Sequence, residues 1–273
     1  MTGKPSHWSQ HASQWDLIGA PLRPSAEDIR RLETEIAAWL GREAVATPRA
    51  LLCGVTPEVA RLNWPAGTHL TAIDHSMRMI SGVWPAGEVP GNAVCADWLA
   101  MPLAGASQHL LLGDGSHCQM VGRTRYAAFN AELRRVAADN ALVAMRHFLR
   151  PERPEPVERV IEDLRQKRIG NFHVFKWRLA MALHGPLEEG VRLGDVWDAW
   201  RRLVTDPDQL AADLGWPLQV INTIQNYRNV DTRYTFPTLD EVRKLSVDFD
   251  IVAVHVPAYE IGDRCPTLIM RPA

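Results

Sequence analysis

Between residues 50 and 144 the chain alternates short, mostly apolar runs with segments whose apolar residues recur at helical spacing. The runs are 50–53, 70–73, 93–95, 109–112 and 141–144. Continuous apolar runs of this length read as strands buried on both faces of a parallel sheet. The intervening pieces 56–62, 76–83 and 123–138 each hold a helix, and the last places Tyr126, Phe129, Leu133 and Val136 on one face. Strand–helix alternation of this kind predicts an α/β fold, a Rossmann-like mostly parallel sheet with right-handed crossovers and helices on both faces.

The flanking segments carry other patterns. Residues 1–24 read as irregular and polar, but contain Trp8 and Trp15, large aromatics that need something to pack on. Ser25 then offers an N-cap with Asp28 three residues on, and Ile29, Leu32, Ile36, Trp39 and Leu40 recur at helical spacing until Gly41 ends the pattern. A proline cluster at 151–156 breaks the alternation, and helices are expected over 157–166, 172–184, 193–204, 209–214 and 218–227, with no strand among them. Thr238 and Glu241 form a capping box for a further helix, followed by β-rich runs at 249–257 and 266–271. The expected organisation is an N-terminal arm and helix (1–48), an α/β core (49–148 and 237–273) and a helical insert (149–236) that caps the substrate side.

Composition narrows the function classes. With 46% hydrophobic and 23% charged residues in 273, the chain is an ordinary globular protein, and disordered, collagen-like and coiled-coil classes drop out. Thirty basic against thirty-two acidic side chains leave a formal charge of −2, so no polyanion partner is advertised. Cys53, Cys95, Cys118 and Cys265 form no CxxC pair, which argues against zinc and disulfides and for a reducing cytoplasm. No run of about 18 apolar residues occurs, and residues 1–15 lack the apolar stretch of a secretory signal, so no membrane association is expected.

The candidate chemistry lies at the ends of the predicted strands, where open α/β sheets bind ligands. The first strand ends Cys53-Gly54-Val55-Thr56, and its glycine lets the backbone approach a ligand closely. Asp74, twenty positions after Gly54 and followed by His75, closes the second strand. At that distance a carboxylate reaches the ribose hydroxyls of an adenosine cofactor. The third strand ends Ala96-Asp97-Trp98, a carboxylate able to accept from an exocyclic amine beside an aromatic face. The fourth ends Gly113-Asp114-Gly115-Ser116. Asp residues after strands often only cap the next helix, but capping alone predicts no adenosine-like order across four strand tips.

These residues resemble those of the class I S-adenosylmethionine-dependent methyltransferases, over residues 49 to about 144 and again over 237–271. The resemblance implies a seven-stranded sheet whose last strand is antiparallel, S-adenosylmethionine as cofactor, and transfer of its methyl group to a small-molecule acceptor. It implies that Cys53 to Thr56 wall the methionine moiety, Asp74 holds the ribose, Met79 packs on the adenine, Asp97 and Trp98 bind its amine and edge, and Gly113 to Gly115 floor the site. The family's loop usually reads Gly-x-Gly-x-Gly, whereas the later positions here are Thr56 and Glu58, which must take negative φ or accept strain. The Thr56 hydroxyl could bond the cofactor carboxylate instead. Trp15, Arg23 and Ser116 are the expected acceptor-side residues; Arg23 would reach an anionic group. Methyl transfer is an in-line displacement that needs orientation and exclusion of water more than an acid–base pair, so no catalytic residue is assigned; Asp114, His117 and Tyr126 are the nearest bases.

Other readings are weaker. A nicotinamide-dependent oxidoreductase needs a Gly-x-Gly-x-x-Gly loop after the first strand, which is missing. A cofactor-binding pseudoenzyme or regulatory module is compatible with the glycine-poor loop. Residues 210–220 have helix-turn-helix spacing, but the would-be recognition helix 217–227 has no Lys or Arg before Arg228, so no nucleic acid is expected. His7 and His11 stand four apart without a third ligand, so no metal is expected. No Gly-x-Ser-x-Gly elbow supports a hydrolase. Oligomeric state is not legible.

Overall fold

The computed structural model describes residues 7–273; residues 1–6, where the expected arm begins, and the His7 and Ser9 side chains lie outside the description. The chain starts with α1 (His7–Ser13), a 3₁₀ turn at Trp15–Leu17 and α2 (Ala26–Glu43). The first half of the core is β1 (Arg49–Cys53), α3 (Pro57–Ala60), β2 (His69–Asp74), α4 (Met77–Val83), β3 (Gly91–Cys95), β4 (Gln108–Asp114), α5 (Arg123–Val136) and β5 (Ala137–Arg146). The insert holds α6 (Val157–Arg165), α7 (Phe172–Ala182), β6 (Val191–Arg192), α8 (Leu193–Leu203), α9 (Pro207–Leu214), α10 (Leu218–Ile221) and β7 (Arg233–Tyr234). The chain then returns to the core with α11 (Leu239–Leu245), β8 (Phe249–His255) and β9 (Thr267–Pro272).

The main sheet has seven strands in the order β3-β2-β1-β4-β5-β9-β8. β1 to β5 pair in parallel, and β9 runs antiparallel to both of its neighbours. The central strands are buried on both faces, and their period-two geometry sorts the apolar runs into two cores. Leu51, Cys53, Ile73 and Leu111 face α5 and α11 with Phe129, Leu133 and Val242. Ala50, Leu52, Leu70 and Leu112 face the other way, onto Leu32, Ile36 and Trp39 of α2 and Val59 of α3. Because β1 and β4 are neighbours and the chain leaves them on opposite sides, their C-terminal ends open a crevice.

Several local expectations change. Part of the N-terminal arm is helical, and α1 packs against α4 and the 3₁₀ turn at Asn222–Tyr227, which gives Trp8 and Trp15 their apolar neighbours. α2 has the expected Ser25–Asp28 capping box but runs past Gly41 and ends at Ala44, which takes the left-handed conformation (φ 51°). The insert contains a short antiparallel ribbon, β6 with β7, where no strand was expected; two-residue strands are too short to show an alternating period. Residues 218–227 split into α10 and a 3₁₀ turn. The Thr238–Glu241 capping box starts α11 as expected.

The insert has its own core of Phe172, Phe175, Trp200, Trp216 and Phe236. It is pinned to the sheet by charge. Arg178 of α7 holds both Glu155 and Asp163, and Glu155 also accepts from Arg264, which precedes β9 (2.8 Å).

Candidate functional site

A cleft of about 110 Å³ opens at the C-terminal ends of β1, β2 and β4. Its walls come from three parts of the chain. The strand tips supply Cys53, Gly54, Val55, Thr56, Asp74, Met79, Trp98, Asp114 and Gly115; the arm supplies Trp8, His11, Trp15, Ile18 and Leu22; the fifth strand's end and the insert supply Phe148, Trp177, Tyr227 and Tyr234. A larger groove of about 380 Å³ between α2 and β8 lies away from the strand tips.

Gly54 has φ +106°, and its N–H donates to Ile73 O (2.8 Å). That conformation favours glycine, and it turns the chain from β1 toward α3. The two missing glycines cause no strain. Thr56 has φ −56° and N-caps α3, where Glu58 lies in the first turn.

Asp74 is buried at the tip of β2, and its Oδ1 accepts from Ser76 N–H (2.8 Å). Burial pushes its carboxyl up; the Ser76 N–H and neighbouring His75 pull it back. Met79 is held by the first turn of α4, where Ser76 caps its N–H. Trp98 donates from Nε1 to Ile73 O (2.6 Å) and stacks on Phe129 (5.9 Å between centroids). It is a fixed wall 3.9 Å from where a Gly54 Cβ would stand.

Asp114 forms a buried ion pair with Arg146 at the end of β5 (Nε–Oδ1 2.7 Å). The parallel register sets these residues side by side. Thr56 Oγ1 donates to the other Asp114 oxygen (3.4 Å), so this hydroxyl is engaged within the protein. Arg146 Nη1 donates to Pro21 O (2.8 Å) and to the Tyr259 hydroxyl (3.3 Å), which ties the arm to the sheet. Burial pushes the Asp114 carboxyl up, while Arg146 opposes it; burial works against the Arg146 charge, but Asp114 makes the guanidinium hold its proton more tightly than usual.

The structure does not bring every expected residue into the cleft. Asp97 is exposed, with Oδ1 accepting from Leu99 N–H (3.0 Å), and neither it nor Ala96 lines the cleft. His75 is exposed beside it, edge-on to Trp98 and Trp8. Arg23 turns away to Glu58 (Nε–Oε1 2.7 Å) and to the carbonyls of Trp15 and Ile18, so it braces the arm rather than reaching outward. Gly113 lies behind the lining, and Ser116 is buried next to it. His117, one of the nearest bases by sequence, is buried against Tyr126 and His147 and shares a hydrogen bond with Asn130 (3.0 Å). Burial pushes it down to about 4.

Gly115 has φ +65°, and a Cβ there would stand 2.3 Å from the Phe148 ring. That ring is packed by Trp177 (5.2 Å) and by the Arg146 guanidinium (4.9 Å), so it cannot swing away freely. Gly115→Ala is expected to lower stability by about 2–3 kcal/mol, from left-handed strain plus the clash. The denaturant midpoint reads this, and an unchanged midpoint would contradict the geometry.

No family model and no curated protein matches the sequence. Solved structures do match its shape along almost the whole chain. The CcbJ methyltransferase from Streptomyces caelestis has TM-score 0.58 and 13% identity, covering 98% of each chain. The N-methyltransferase NodS from Bradyrhizobium japonicum, solved with S-adenosyl-L-homocysteine, has TM-score 0.51 and 10% identity, covering 98% of this chain and 99% of its own. A Rhodobacter sphaeroides protein assigned to the Zn-dependent alcohol dehydrogenases has TM-score 0.56 and 14% identity, covering 99% and 100%. With the sheet order and the antiparallel β9, these likenesses give the chain a class I methyltransferase fold.

Proposed function

We propose that this protein is an S-adenosylmethionine-dependent methyltransferase acting on a small-molecule acceptor. The observation that carries the reading is the placement of a buried carboxylate, Asp74, and a positive-φ glycine, Gly54, on adjacent strand tips of one cleft. The residues fit the cofactor: Gly54 presents bare backbone, Asp74 presents a carboxylate to a diol, and Met79 and Trp98 present apolar faces to a purine. The likeness of fold to the methyltransferases CcbJ and NodS supports it.

When bound, the cofactor supplies a methyl group on a sulfonium. Asp74 would receive the ribose, and Cys53 to Thr56 would follow the methionine portion. Trp8, Trp15, Ile18 and Leu22 of the arm close over the strand tips and exclude water, which favours displacement at a charged sulfur. Asp114 does not act as a base in this reading, since Arg146 and Thr56 already engage it. Asp97 would bind adenine only after a local turn of its loop.

The test is calorimetric titration with S-adenosylhomocysteine. Wild type is expected to bind, and Asp74→Ala to bind about 100-fold more weakly, through loss of two hydrogen bonds to a charged group. A folded wild type that ignores this ligand but binds NADH would overturn the reading in favour of an oxidoreductase. Equal binding by Asp74→Ala would overturn the ribose assignment.

A further inference from the structure

The half of the cleft beneath the insert is built of aromatic rings, and it carries hydrogen-bond donors that nothing among the described residues satisfies. Trp177 Nε1 and the Tyr227 hydroxyl have no partner there, although both residues line the cleft and are 3% and 0% exposed. The indole N–H of Trp15, on the arm side of the same cleft, is in the same condition. A buried donor without a partner is costly, so two such groups lining one cleft point to a ligand that accepts from them. An indole nitrogen can only donate.

Behind Tyr227 lies a cation. Lys176 of α7 is fully buried, with Nζ 5.2 Å from the Tyr227 ring centroid and 5.9 Å from that of Phe172. Among the described residues it has no hydrogen-bond partner and no ion pair. No Asp or Glu side chain comes from the insert into the cleft lining; its two carboxylates, Asp74 and Asp114, belong to the strand tips. The insert wall therefore offers unsatisfied donors with an amine behind them, and no carboxylate.

We propose that this half of the cleft binds an oxygen anion carried on a small planar ring, a phenolate or an arene carboxylate, with the oxygen received by the Tyr227 hydroxyl and Trp177 Nε1. The ring would lie among Phe148, Trp177 and Tyr234, whose ring pairs already stand edge to face (5.2 Å for Phe148–Trp177 and 6.0 Å for Trp177–Tyr234). Lys176 lies behind Tyr227, where a bound anion would hold its amine protonated. This assignment names the acceptor class of the proposed methyltransferase and rests on that reading. A cationic amine fits less well, because the insert wall has no carboxylate to meet its charge and Lys176 stands behind it.

The experiment is calorimetric titration of the full-length protein with benzoate, 4-nitrophenolate and benzylammonium, each alone and with saturating S-adenosylhomocysteine. Benzoate or 4-nitrophenolate is expected to bind at least tenfold more tightly than benzylammonium; whichever anion binds more tightly identifies the headgroup. Tyr227→Phe and Lys176→Met each keep the apolar body of the side chain and remove a buried polar atom, while Trp177→Phe keeps an aromatic ring but a smaller one, so its fold is checked by its denaturant midpoint; each variant is expected to weaken anion binding about tenfold. Benzylammonium binding as well as the anions, or anion binding unchanged in all three variants, would overturn the inference. Failure of S-adenosylhomocysteine to bind wild type would instead remove the reading beneath it, a separate and separately visible result.

Discussion

Arg146→Met is expected to destabilise the fold by about 3–5 kcal/mol, because it strands the buried Asp114 carboxylate without its counter-charge. Both side chains are about 95% buried, so neither charge has water to fall back on. The pair as a whole contributes little net stability, since desolvation offsets most of the attraction; the loss comes from breaking it on one side. The double variant Arg146→Met with Asp114→Asn should recover most of the loss. The pH dependence has a definite sign. Without Arg146 the Asp114 carboxyl rises further above its ordinary value, so the folded state holds a proton that the unfolded state releases. The variant is then closest to wild type in stability at acid pH and falls behind as pH rises through that window. Urea midpoints at several pH values check this, and a loss below 1 kcal/mol, or one that shrinks at alkaline pH, would contradict it. Arg146 also holds Pro21 O, so the variant should loosen the arm that carries Trp15 into the cleft.

Arg146 shows where the sequence was readable and where it was not. The sheet was legible because five apolar runs, four of them largely buried and only that of the edge strand β3 partly exposed, are a strong local signal, and the capping boxes at Ser25 and Thr238 fixed two helix starts. The strand tips carrying Gly54, Asp74, Trp98, Asp114 and Gly115 were legible because a ligand crevice in this topology must lie there. The same rule extends one strand further: an arginine closing the buried run of β5 needs a partner, here Asp114, and Phe148 two residues on is a wall of the cleft. Arg23 and Thr56 show a related effect: a polar group near a site satisfies itself on the nearest partner in the fold, here Glu58 and Asp114, which no spacing reveals. Tyr227, Tyr234 and His11 reach the cleft only through packing of the insert and arm. Phe172, Phe175, Trp200 and Trp216 spend their surface on helix packing, while Trp197 turns outward to Gln225.

Raising the pH from 7 to 9.5 is expected to stabilise the protein by about 3 kcal/mol through Lys176 alone, and Lys176→Met should remove that gain. Burial without a counter-ion pushes this ammonium down to about 7 from its ordinary 10.5. Across that window the folded protein has lost a proton that the unfolded chain still binds, so folding becomes easier as pH rises. The nearest titratable neighbours do not blur the window: His173 is pushed down to about 3, by burial first and then by Lys176 itself, and burial raises the Tyr227 hydroxyl far above it. Denaturation free energies at pH 7 and 9.5 for wild type and variant give the comparison, with the variant more stable at pH 7 and the two curves converging at the higher pH. Parallel curves would show that the ammonium finds a counter-charge in solution. A methionine that strengthens the fold at pH 7 yet weakens benzoate binding would mark Lys176 as a residue kept for its charge, since packing alone favours its removal.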